Sequence, residues 1–239
     1  MTKRVQHKQA ARAVREQLAA ERRRARTMWI SIIAVAVLII GGLVGYGIYQ
    51  SNRPKDTTVP AGAVDGGHGI ATGTGPVKVE IYLDFMCPAC GKFERENGAK
   101  LTQQVTDNKI TLVTHPVNFL DDASKGTKYS TRAGSASGCA SDGGKFSEFT
   151  AAMFAGQPKE NTAGLTDDEI VQIGGSVGLL DPTFAKCVRD KKYYAWMDGN
   201  TEEMAKRGVS STPTFFVNGK KVDDPTDVFN SIEAAQTKK

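Results

Sequence analysis

Four cysteines, Cys87, Cys90, Cys139 and Cys187, carry the most reactive chemistry in this 239-residue sequence. Cys87 and Cys90 enclose Pro88 and Ala89 in a C-x-x-C spacing. Such a pair suits half of a zinc site, an inert staple, or a dithiol that cycles with a disulfide. A zinc site needs a second, closely spaced pair, whereas Cys139 and Cys187 are far apart with no His beside them. A staple across one helical turn closes a loop so short that it constrains the unfolded chain little. The spacing therefore favours redox exchange.

The position of the pair favours it too. Pro88 suits the first position of a helix, where a backbone N–H would have no partner. Cys87 then stands at the helix N-cap, facing unpaired N–H groups and the positive end of the helix dipole. Both favour thiolate, the nucleophile of disulfide exchange. Cys90, one turn further on and shielded, is placed to resolve a mixed disulfide formed at Cys87.

These residues must be held by strands and helices. Residues 77–85 (VKVEIYLDF) read as a strand, mostly apolar as a doubly covered strand should be. Residues 88–106 read as a helix and 109–114 (KITLVT) as a second, parallel strand. His115-Pro116 ends that strand, and its imidazole reads as exposed in preference to a catalytic role; His7 and His68 are assigned no role. Residues 124–205 show helical spacing and no strand pattern, and Thr166 to Glu169 opens one helix with a capping box. A hairpin follows at 214–222 around Asn218-Gly219, then a helix over 226–235. The class is α/β, a central mixed sheet flanked by helices and interrupted by a helical subdomain at about 120–205.

Charge and hydropathy add a topology. Of 31 Lys and Arg, nine (Lys3, Arg4, Lys8, Arg12, Arg15, Arg22, Arg23, Arg24 and Arg26) lie in residues 1–27 with only Glu16 and Glu21. The remaining 22 bases face 24 acids, so the net charge of +5 marks a basic tail rather than a nucleic-acid-binding face. Residues 28–48 (MWISIIAVAVLIIGGLVGYGI) are free of charge. At about 1.5 Å per residue they span a bilayer core of roughly 30 Å. Trp29, Tyr46 and Tyr49 stand where aromatic rings meet the interfaces. The run exceeds the ~7–15 residues of a cleavable signal core, which favours an uncleaved signal-anchor with residues 1–27 in the cytoplasm. Residues 49–66, with Pro54, Pro60 and Gly62, read as a flexible linker, and the domain covers 67–236.

Asp84-Phe85-Met86-Cys87-Pro88-Ala89-Cys90 resembles the D-[FY]-x-C-P-x-C motif of DsbA-like thiol–disulfide oxidoreductases, in their membrane-anchored Gram-positive form. Residues 208–219 (GVSSTPTFFVNG) resemble the same family's G-V-x-x-T-P-T-F-F-V-N-G segment. The resemblance implies a thioredoxin-like fold with an inserted helical subdomain, and Cys87 as nucleophile with Cys90 as resolving thiol. It also implies a cis Pro213 beside the sulfurs, with the backbone of Thr212 open to an extended client. It implies oxidase activity on secreted proteins, without cofactor or resident metal, and reoxidation by a membrane partner of the DsbB or vitamin K epoxide reductase type. Some such relatives carry a second disulfide in the helical subdomain. Cys139 and Cys187 fit one, since thiols outside the membrane default to pairing.

Two positions depart from the family. Many relatives carry an acid six places before the first Cys, where this chain has Ile81; Asp84 is the substitute candidate, or a strand-end cap. Ala89 replaces the His of strongly oxidising relatives, so a less extreme potential is expected. A reductase or isomerase using the same cysteines, and a tethered non-catalytic chaperone, remain the competing readings.

Overall fold

Val77 to Leu83 is β-branched and apolar along most of its length, and in the computed structural model it is the central strand of a six-stranded sheet. The structure describes residues 28–29, 37–46 and 58–237. The basic tail 1–27, residues 49–57 of the expected linker and part of the expected membrane segment 28–48 lie outside these. Residues 37–46 are helical and exposed. Among the described residues no helix is long and apolar enough to cross a membrane. The chain divides into two units, Met1–Lys55 and Asp56–Lys239.

In the second unit the strands are β1 (Ala63–Val64), β2 (Gly69–Thr72), β3 (Val77–Leu83), β4 (Ile110–Pro116), β5 (Thr214–Val217) and β6 (Lys220–Val222), in spatial order β1-β2-β4-β3-β5-β6. β3 runs parallel to β4, with Val77 opposite Ile110, and antiparallel to β5, with Tyr82 opposite Thr214. Helix α1 (Pro88–Thr106) makes the crossover from β3 to β4, burying Cys90, Phe93 and Leu101 against the sheet. The β5–β6 turn places Asn218 at φ 47° and Gly219 at φ 77°, the two positive φ values a tight two-residue turn requires.

Five helices fill the interval between β4 and β5: α2 (Tyr129–Asp142), α3 (Phe146–Ala155), α4 (Asp167–Ser176), α5 (Pro182–Arg189) and α6 (Tyr194–Lys206). α2 is almost wholly buried because its residues are small. A Cβ added at Gly134 would stand 2.2 Å from the end of the Met197 side chain of α6, so that thioether packs directly on the bare helix backbone. The Thr166–Glu169 capping box forms as read. α7 (Val228–Thr237) closes the chain over β5 and β3.

Two expectations need correction. Residues 63–66 are not linker: Ala63–Val64 pairs with Gly69–Ile70, and a 3-10 turn starts at Asp65. Pro60 is buried, Ala61 donates its N–H to Asp142, and the Ser141 hydroxyl donates to the Ala61 carbonyl. Pro, Gly and small residues resemble a linker in sequence, but distant partners fix them here. Nor is the His115 imidazole exposed. It is 1% accessible and stacks on Tyr82 at 4.5 Å, because β4 runs two residues beyond Thr114 and β2 covers it.

Candidate active site

Asp84 to Cys87 turn the chain from the end of β3 into α1. The Asp84 carboxylate organises that turn: one oxygen accepts the Met86 N–H (2.8 Å) and the Ser130 hydroxyl (2.6 Å), the other the Leu120 N–H (2.8 Å). It is fully buried, and burial pushes its acid up to about 6 despite those bonds. Asp84 thus caps the strand end, and its buried carboxyl lies near enough to Cys87 for the two to repel when both are charged.

Cys87 is the N-cap of α1, Pro88 begins the helix, and Ala89 leads to Cys90. Both cysteines are free thiols. The Cys87 thiol donates to the Thr212 carbonyl at 3.3 Å, and the Thr212–Pro213 peptide is cis. Two segments 125 residues apart thus meet at one sulfur.

The sulfurs differ in electrostatics as their positions demand. A hydrogen bond from Cys90 first, one from Thr212 next and the backbone N–H groups of Cys90 and Ala89 after it hold Cys87 down at about 6, against the opposing effect of burial. Burial first, and the neighbouring Cys87 next, push Cys90 well above the ordinary thiol value. The arrangement supplies one nucleophilic thiolate at neutral pH and one reserve thiol.

Thiolate absorbance of the Cys90→Ser variant should accordingly titrate below the ordinary thiol range, held there by the helix N–H groups, and that of Cys87→Ser should not. A folded-state value lowered from 9.0 to about 6 stabilises the reduced protein above the unfolded value, and that gain is lost as pH falls through about 6. At pH 7 the gain is on the order of 1 kcal/mol. The Asp84 acid, also at about 6, titrates in both redox forms, so the slope should appear as the difference between thermal melts of the reduced and oxidised protein.

Gln157 belongs to the site and was not legible in the sequence. Its amide donates to the Phe85 carbonyl (3.1 Å) and to the Cys87 carbonyl (2.8 Å), tying the segment after α3 to the motif turn. It sits so close over α1 that a Cβ on Gly91 would lie 1.9 Å from its Oε1. Nothing in the local sequence signals a partner 70 positions from Cys87. Gln157→Ala should cost about 1–3 kcal/mol, mainly through the orphaned Phe85 carbonyl, since the Cys87 carbonyl keeps the Gly91 N–H; denaturant midpoints read it. Ser130 is legible only as a small residue of α2, yet its hydroxyl faces Asp84.

A family model described as Thioredoxin matches residues 67–234. The chain belongs to the thioredoxin family. Among solved structures, the oxidised DsbA of Mycobacterium tuberculosis is 28% identical, with a TM-score of 0.62 over 71% of this chain and 93% of that one. The probable disulfide bond formation protein D of Bacillus cereus is 24% identical over 211 residues, 87% of this chain and 95% of that protein. The serine/threonine-protein kinase PknE of M. tuberculosis is 33% identical over 126 residues, half of this chain. The chain spans only 22% of the length of that kinase. The likeness to DsbA-type oxidoreductases, read from the motifs at 84–90 and 208–219, thus extends through the fold of this thioredoxin-family chain.

Proposed function

We propose that this chain is an extracytoplasmic thiol–disulfide oxidoreductase working as a disulfide oxidase, anchored through residues 28–48 with its basic tail inside. The observation that carries the reading is the asymmetry of the cysteine pair: a thiolate-forming Cys87 at the helix N-cap and a buried, high-pKa Cys90 behind it. A client thiolate attacks Cys87 of the Cys87–Cys90 disulfide, and Cys90 leaves with the electron pair and takes up a proton. A second client thiolate then attacks the client's own sulfur in the mixed disulfide, and Cys87 leaves as thiolate. The client gains one disulfide, and the protein keeps two electrons as a dithiol. A stabilised leaving thiolate favours this direction, because it stabilises the reduced protein. A membrane partner of the DsbB or vitamin K epoxide reductase type then removes the two electrons.

Equilibration with glutathione tests the direction. An oxidase should have a potential nearer the ~−120 mV of strong oxidants than the ~−270 mV of thioredoxin, and a value at the reducing end favours the reductase reading. Protease added to intact cells tests the topology: removal of the domain supports the anchor, and full protection opposes it.

A further inference from the structure

On the sheet face away from the α1 side, three side chains converge from separate elements: Asp65 after β1, Glu80 on β3 and His115 on β4. Their donor atoms all lie within 4.8 Å of one another. His115 Nε2 stands 3.6 Å from Asp65 Oδ2 and 3.7 Å from Glu80 Oε1. Those separations are too long for hydrogen bonds. They are close to what a shared ion imposes, since donors ~2.1 Å from a tetrahedral centre stand about 3.4 Å apart.

The imidazole supplies an independent observation. His115 is 1% exposed and its Nε2 has no hydrogen-bond partner. Its Nδ1 lies 3.1 Å from the His68 carbonyl, which accepts only, so Nδ1 carries the proton. The Nε2 atom then faces two carboxylates with no hydrogen-bond partner, a place that a cation between them would fill. A backbone carbonyl on the far nitrogen is also the usual outer support of a metal-bound imidazole. Gly69 makes room for it: a Cβ there would stand 2.7 Å from His115 Cε1. Glu80 is 3% exposed; although burial opposes its ionisation, His115, Arg207 and Lys78 beside it hold its acid at about 2.

We propose that Asp65, Glu80 and His115 form a binding site for a divalent transition metal ion of the zinc class, with a water completing the coordination. One nitrogen and two oxygens suit Zn²⁺. The cations now beside the carboxylates are Lys78, 2.7 Å from Asp65 and 3.6 Å from Glu80, and Arg207, 2.6 Å from Glu80. Lys78 is 40% exposed and can swing into solvent as the metal enters; Arg207 stays on Glu80, stacked over Phe216. The bound ion would tie the turn after β1 to the two central strands.

The test is calorimetric titration of Zn²⁺ into the full-length chain in detergent, with Cys87–Cys90 oxidised so that no thiolate competes. One ion per chain is expected, together with a rise in melting temperature. Asp65→Asn should weaken binding by more than the ~10-fold cost of losing an outer-shell partner, and His115→Gln should weaken it further. Lys78→Met should tighten it, since the competing ammonium is gone. Absence of binding below a Kd of about 1 mM overturns the proposal, as does binding that Asp65→Asn and His115→Gln leave unchanged. Asp65 lies on a partly exposed turn, so its variant decides the matter if His115→Gln does not fold.

Discussion

In a Cys90→Ser variant, client proteins should accumulate on Cys87 as mixed disulfides, and in a Cys87→Ser variant both trapping and turnover should vanish. The asymmetry follows from geometry. Cys87 caps α1, where N–H groups stabilise its thiolate, while Cys90 is 3% exposed and costly to ionise. With Cys90 gone, no internal thiol remains to attack the Cys87–client bond, so the intermediate survives until an external thiol reaches it. With Cys87 gone, the remaining thiol is buried and protonated at neutral pH. Non-reducing gels with peptide mapping read the outcome. Client adducts on Cys90 rather than Cys87 would reverse the two roles, and adducts on neither would remove the exchange chemistry.

The largest loss of stability should come from the other pair. Cys139 of α2 and Cys187 of α5 are bonded to each other across 48 residues. Closing a loop of that length restricts the unfolded chain by about 4 kcal/mol in the chain-entropy account. The double Ala variant should therefore lose about that much, seen as a fall in denaturant midpoint with a steeper slope, because the unlinked chain unfolds to a more open state. Exchange chemistry at Cys87 should persist in whatever fraction stays folded, because the bond joins helices of the inserted subdomain rather than the motif turn. A loss below about 1 kcal/mol would mean that the reduced, unfolded chain keeps structure of its own.

Much of the positioning was readable from local pattern. The strand at 77–83, the helix begun by Pro88, the Asn218-Gly219 turn and the Thr166 capping box each rest on interactions within a few residues. The alternation and cap chemistry that form them are therefore written in sequence. Ala61, Ala63 and Val64 were misread as linker because their partners, Asp142 and Ser141 for the first and β2 for the others, are supplied from elsewhere in the chain. His115 was misread as exposed because the ring that stacks on it and the strand that covers it come from β3 and β2.

The sequence by itself determined the chemistry: two cysteines at a C-x-x-C spacing, with Pro88 at the first turn of a helix, fix which sulfur meets the helix N-terminus. Only the tertiary structure decided the surroundings of that pair. Asp84 could be placed on a strand end from sequence, but its role as a buried acid held by Leu120 and Ser130 depends on α2 packing against the motif turn. Gln157 reaches the carbonyl of Cys87 from 70 residues away, and Asp65, Glu80 and His115 meet only because β2, β3 and β4 lie side by side. The physical reason is the same in each case. Backbone conformation is set by neighbours in the chain, whereas burial, dielectric and hydrogen-bond partners are set by neighbours in space, and these tune a thiol or gather ligands.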